Sequence, residues 1–413
     1  MGHKKPKYKR GQKNLIVFAS TLVTVLCIGM ITLGLAYVGK EKNKVSVYEF
    51  FSLPTNEREK YAQTSLEEEL DKNESIYNDA VAKGQRVKML PCVDEEEVTM
   101  LFAGDVLLDD NYAMMSNYVS RGSSMEDTFG NGLLHEMQQA DIFMLNNEFT
   151  FTDRGTPTAG KLYTFRSKTS NISFLKEMGT DIVSLANNHS YDYGEVSLLD
   201  TLDTLNNGEI PYVGAGRNLA EAMEPYYIIA NGMKIAFVAG TQLEKYDNAE
   251  TKGATQNSAG TLRCVNPENL LESIRIAEEN ADFTILFIHW GTESQESLDW
   301  MQEEQVELYT KAGVDLIIGA HPHVLQKIDY VDGVPVVYSL GNFWFNSKTR
   351  DTGMIKVTLK DKKIKELAFL PCLQSDCKTN LLSGEEKERV ITYMQKLSNG
   401  IMIDKDGVIE PVS

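Results

Sequence analysis

The stretch Val98-Thr-Met-Leu-Phe-Ala-Gly104-Asp105 decides how this chain is read. A short apolar run bounded by a turn signal reads as a buried strand, and this one stops at a glycine and a carboxylate. Four more runs stop in a similar way. Ile142–Leu145 leads into Asn146-Asn147-Glu148, and Ile182–Leu185 leads into Ala186-Asn187-Asn188-His189. Phe283–Ile288 leads into His289-Trp290-Gly291, and Leu316–Ile318 into Gly319-Ala320-His321-Pro322-His323. Helical spacing lies between several of them, in Ser170–Met178 and Leu198–Leu205. That alternation predicts an α/β domain. Later runs, Tyr226–Ala230, Lys234–Ala239, Val334–Leu340, Met354–Leu359 and Leu367–Leu370, read as strands, with tight turns at Asn231-Gly232 and Asp332-Gly333. The domain, opening near residue 96, is expected to end near Cys372, and 373–413 to form a helix and a loose tail.

Open α/β sheets gather ligands at the carboxyl ends of their strands. Five such ends would bring together Asp105, Glu148, an Asn oxygen and three or four imidazoles; four of the six histidines sit there. This mixture suits divalent Zn, Mn or Fe. It exceeds the needs of one tetrahedral ion, so two are expected, spaced to clamp the attacking and leaving oxygens of a phosphoryl transfer. Taken singly, the pieces have plainer readings. Gly104-Asp105 is a common turn, Asn187-Asn188-His189 would cap a helix starting near Tyr193, and His289 would be a packed core histidine. A turn carrying two imidazoles two residues apart, His321-Pro322-His323, is a poor choice for packing alone. The argument rests on the set. His135 lacks such a context, and His3 falls in the N-terminal tail.

The chain has 413 residues, 24% charged and 42% hydrophobic, which excludes disordered and collagen-like classes. Its formal net charge of −18 argues against a nucleic-acid partner. Nine bases and one acid lie in residues 1–44, leaving 32 bases against 58 acids in the remainder. Between the basic groups, Leu15–Val38 runs 24 residues without a charge. A helix of that length reaches about 36 Å, enough for a hydrocarbon core of about 30 Å. Six bases precede it, which places residues 1–14 in the cytoplasm and the rest outside the cell. A cleaved signal peptide is the rival reading, but the run is long and no A-x-A site follows. Residues 39–95 read as a polar stalk, with a helix expected over Asn56–Asp71. Outside the cell Cys92, Cys264, Cys372 and Cys377 would be free to pair, and the absence of C-x-x-C disfavours a zinc ribbon.

At the strand ends the chain resembles the capsule-synthesis CapA family, also called the poly-γ-glutamate biosynthesis PgsA family. The phrases that carry the resemblance are Phe102-Ala-Gly-Asp-Val106, Asn146-Asn-Glu148, Leu185-Ala-Asn-Asn-His189 with Asp192-Tyr-Gly194, Tyr212-Val-Gly-Ala-Gly216, His289-Trp-Gly291, Gly319-Ala-His-Pro-His-Val324 and Tyr338-Ser-Leu-Gly-Asn-Phe343. The family is similar to calcineurin-like metallophosphatases, which implies two mixed sheets packed face to face with helices outside. The resemblance implies that Asp105 and His323 hold a first metal and that Asn188, His289 and His321 hold a second. Glu148 would bridge the two, and His189 would be the general acid. It also implies a membrane-anchored component of surface-polymer synthesis or export. Its partners would be synthase and export proteins and an anionic polymer or phosphoester. Two departures stand out. Leu107 occupies the position of a metal-binding His, which leaves the first site one ligand short. Asp109 and Asp110 follow Gly-Asp, where negative charge would assist a metal and repel a phosphate. A non-catalytic polymer-guiding scaffold and a phosphodiesterase unrelated to capsule are the alternatives.

Overall fold

Glu97–Val106 is one strand, and both of its faces are covered. Successive side chains point to opposite sides: Val98, Met100 and Phe102 enter one apolar cluster, Leu101 and Ala103 another. The strand is therefore central, and a run with no polar alternation follows from that. The computed structural model describes residues 72–94, 96–243 and 252–412. Asn73–Val93 and the chain from Glu97 onward form one unit.

Two mixed sheets make up that unit. In the first, Glu97–Val106 pairs in parallel with Ile142–Asn147, which continues through Ile182–Ser184 to Tyr212–Val213. Its other edge meets antiparallel Arg350–Lys360, then Lys363–Ser375 and Lys378–Leu381, while short Asn342–Trp344 lies parallel to its carboxyl end. The second sheet runs Arg86–Met89, Tyr226–Ala230, Met233–Thr241, Phe283–His289, Leu316–Ala320, Val334–Val337, Ile328–Val331. Phe102, Met144 and Ile182 of the first sheet pack against Phe237, Ile285, Phe287 and Ile318 of the second. The outer face of the first sheet is covered by helices through Met114, Phe129, Leu175 and Leu202. Leu270, Ile274, Val306 and Tyr309 cover the second. The resulting layers are helix, sheet, sheet and helix, the arrangement the resemblance implies.

Several boundaries differ from expectation. The end of the expected stalk is folded: residues 73–82 are helical and Arg86–Met89 is an edge strand paired with Tyr226–Ala230. Its polar sequence hid it, because Arg86 and Lys88 belong to a half-exposed edge, with Arg86 stacked 4.4 Å from the Tyr212 ring. The sheet also continues past Cys372 through Leu381. The tail is not loose, since Ile401–Ile403 pairs with Ile409–Pro411 and buries Ile401, Ile403 and Ile409. Cys372 and Cys377, close in sequence, are not paired with each other and are free. The helix at 195 begins from Gly194 with no side-chain cap, so Asn187, Asn188 and His189 are not spent on capping. Residues 1–38 and the helix expected at 56–71 lie outside the described residues. Among the described residues no helix is long and apolar enough to cross a membrane.

Asp181 precedes the Ile182–Ser184 strand and accepts from Phe143 N at 2.9 Å. Burial pushes its carboxyl up to about 6. The folded chain therefore keeps a proton that the unfolded chain releases, and stability falls as pH rises from about 4 to 6. Asp181→Asn preserves an acceptor and removes that cost. It is expected to raise stability by ~2 kcal/mol at pH 8 and to leave it unchanged at pH 3.5, as read by urea melts. An equal gain at both pH values would contradict the assignment.

Candidate metal centre

All five strand ends open on one buried cluster. Asp105 ends its strand beside Asn146, its neighbour in parallel register. The Asn146 amide donates to Asp105 Oδ1 at 2.8 Å and to Glu148 Oε2 at 3.1 Å. Asn187 in turn donates to Asn146 Oδ1 at 3.0 Å and so fixes the amide's orientation. From the second sheet, His289 Nε2 lies 2.9 Å from Asn188 Oδ1 and 3.1 Å from His321 Nδ1. His323 Nδ1 lies 3.0 Å from Asp105 Oδ2. These contacts pair Asp105 with His323, and His289 with Asn188 and His321.

Glu148 sits at the centre. Its Oε1 is buried and accepts no hydrogen bond. Around it stand His289 Nε2 at 3.8 Å, His323 Nε2 at 3.8 Å and His189 Nε2 at 4.0 Å. That spacing is too long for hydrogen bonds. It leaves room for a cation between Oε1 and the imidazole nitrogen of His289 or of His323. Two triads, Asp105–Glu148–His289 and Glu148–His321–His323, each place their ligand atoms within 4.8 Å of one another, and Glu148 belongs to both; they cut across the Asp105–His323 and His289–His321 pairing, so the ligand candidates form one contiguous cluster. An orphaned carboxylate oxygen facing imidazole nitrogens fits a divalent ion, and the shared carboxylate fits a pair.

The electrostatics agree. Burial works against ionised Asp105, but the hydrogen bond and charge of His323, with His289 behind, hold its carboxyl down at about 2. Burial, with the Asp105 charge, drives Glu148 well above the carboxylate range. Burial also pushes His289 down to about 3, against the attraction of Asp105, and so leaves its lone pair free for a ligand role. Unpaired, this carboxylate pair is costly; a dication in place of the Glu148 proton removes that cost.

The backbone is shaped for the same end. His321 and His323 have φ of 101° and 58°. Left-handed backbone at residues other than glycine costs on the order of 1–3 kcal/mol each, and such strain clusters at functional sites.

His189 stands beside the cluster. Its Nδ1 lies 2.7 Å from Asp192 Oδ2, which leaves Nε2 directed toward Glu148. Lys161, buried, binds both Asp192 and the Asn188 carbonyl. Phe165 packs on the His189 ring at 4.3 Å and Phe345 on the His323 ring at 4.6 Å.

Other expectations are corrected. Asp109 does not face the cluster: it accepts from Asn111 N and Arg166 N at 2.7 Å each. Asp110 accepts from Asn171. Both carboxylates are occupied in tying down the 166–171 segment. Leu107 is buried in the helix-side core with Trp344, so that position is not turned toward the ligands. His135 is exposed on its helix. Asn146, Asn187, Lys161 and Asp192 carry no role in the sequence reading. The doubled Asn-Asn at two strand ends was the available signal for the first two.

The family model described as bacterial capsule synthesis protein PGA_cap matches residues 99–347. The capsule biosynthesis protein CapA of Bacillus anthracis is 28% identical over 324 residues, which cover 73% of this chain and 74% of that one. The PGA biosynthesis protein CapA of Bacillus subtilis is 29% identical over 273 residues, covering 64% and 69% respectively. Among solved structures, the 5'-nucleotidase of Candida albicans aligns at a TM-score of 0.36 and 12% identity, over 68% of this chain and 53% of that one. The family match takes in more than half of the chain and every residue of the buried cluster, and the chain belongs to the bacterial capsule synthesis protein family.

Proposed function

We propose that the protein is a membrane-anchored, extracellular component of capsule or poly-γ-glutamate synthesis or export, built on a metallophosphatase-type domain that holds two divalent ions of the Mn, Zn or Fe type. The observation that carries the metal reading is the orphaned Glu148 Oε1 among three imidazole nitrogens. The family and the names of its relatives support the polymer. The uncharged run Leu15–Val38 behind six bases supports the anchor.

Asp105, Glu148, Asn188, His289, His321 and His323 would hold the ions. Bound there, such ions polarise a phosphoryl or acyl oxygen and supply a nucleophile at neutral pH. The rest of the work falls to the chain's own groups. Asn146 orients both carboxylates. Asp192 fixes the His189 ring, so that Nε2 is the atom that moves a proton at the leaving group. Lys161 offsets the Asp192 charge.

His189→Ala is expected to lower hydrolysis of a generic phosphodiester in Mn²⁺ by about 10²–10⁴-fold with metal content unchanged. Deleting the gene is expected to remove surface polymer, and the full chain to restore it. A non-catalytic, polymer-guiding role is the second reading, favoured by Leu107 at the position where the resemblance expects a metal-binding His. Absence of turnover together with intact polymer in Asp105→Asn cells would establish that reading over catalysis. Intact polymer in the deletion strain would overturn the capsule role.

A further inference from the structure

Asn342 lies on the short strand Asn342–Trp344, paired in parallel register with Asp105. Partners in register point to the same face of a sheet, so both side chains turn toward the cluster. The close approach has a local cause: Asp105 N donates to Gly341 O at 3.1 Å, and Gly104 has no Cβ to push that carbonyl away. Asn342 is 2% exposed, and its Oδ1 accepts no hydrogen bond. The same carboxamide lies beside the His323 ring. A buried carbonyl oxygen left without a partner costs about 1–3 kcal/mol. Its neighbours are the carboxylate and imidazole already assigned to one ion, at the site that lacks a ligand from position 107.

We infer that Asn342 Oδ1 is a further ligand, completing an oxygen-rich cation site with Asp105, Glu148 and His323. This rests on the metal reading above and deepens it. Three oxygens and one imidazole favour a hard, octahedral ion such as Mn²⁺. The companion site, with His289, His321, Asn188 and Glu148, is richer in nitrogen and better suited to Zn²⁺ or Fe²⁺.

The test is Mn²⁺ binding to the full-length protein, by metal analysis after dialysis and by equilibrium titration. Asn342→Leu keeps the side-chain shape and removes the oxygen. It is expected to weaken one Mn²⁺ equivalent at least about tenfold while leaving the other in place. Asn342→Asp keeps an oxygen and adds charge, and is expected to bind at least as tightly as wild type. Unchanged affinity in Asn342→Leu overturns the assignment. Should that variant fail to fold, Asn342→Asp decides: weaker binding than wild type overturns it, and equal or tighter binding supports it. Wild-type protein that takes up no Mn²⁺, Zn²⁺ or Fe²⁺ overturns the metal reading itself, and this one with it.

Discussion

Replacing His321 and His323 together by alanine is expected to empty the protein of transition metal. One imidazole is lost from each ion's ligand set, and His323 also leaves Asp105 without its 3.0 Å partner. Loss of an outer partner of a metal ligand alone costs roughly 10–100-fold in affinity; loss of two ligands should exceed that. Metal analysis of the purified full-length chain reads the result directly. Neither side chain belongs to an apolar cluster, so cooperative thermal unfolding is expected to persist, and this separates lost ligands from a lost fold. Full occupancy in the double variant would contradict the ligand assignment.

The second large effect is steric. A Cβ on residue 104 would lie 2.0 Å from Gly341 O and 3.1 Å from Gly341 C. Both are backbone atoms of the segment that feeds Asn342–Trp344, so neither side can yield cheaply. Gly104→Ala is expected to destabilise by ~3 kcal/mol. It should also weaken metal binding, because the displaced strand carries Asn342 away from Asp105. Gly132 is the control: it lies in the Met125–Gln139 helix, and a Cβ there meets nothing within 4 Å. Gly132→Ala should be neutral or stabilise by about 0.5–1 kcal/mol. Denaturant melts of the two variants check both expectations, and similar stabilities would refute the packing argument.

The sequence exposed those parts of the fold that are buried on both sides. Val98–Ala103 and Phe283–Ile288 are apolar apart from Thr99 and Thr284 because each lies between a sheet and a helix layer. Arg86–Met89 and Ile401–Ile403 escaped notice for the opposite reason: each is short, half-exposed and stabilised by partners more than a hundred residues away or by one hairpin. Within the site, His289, His321 and His323 announced themselves because imidazole is scarce in this chain. Asn342 did not, since Gly-Asn after a strand is also ordinary turn chemistry. Only its register with Asp105 distinguishes it. Asp109 misled in the other direction: its charge suggested an influence on metal and phosphate, while its actual partners are two backbone amides.

One consequence follows from where the ligands originate. Asp105, Glu148 and Asn188 follow strands of one sheet, and His289, His321 and His323 follow strands of the other. Cys372 and Cys377 are free and tie neither layer to the other. An ion held between them would act as a rivet through both at one end. Chelation would then loosen the sandwich from that end first, and the protein's resistance to unfolding would track the supply of metal around it.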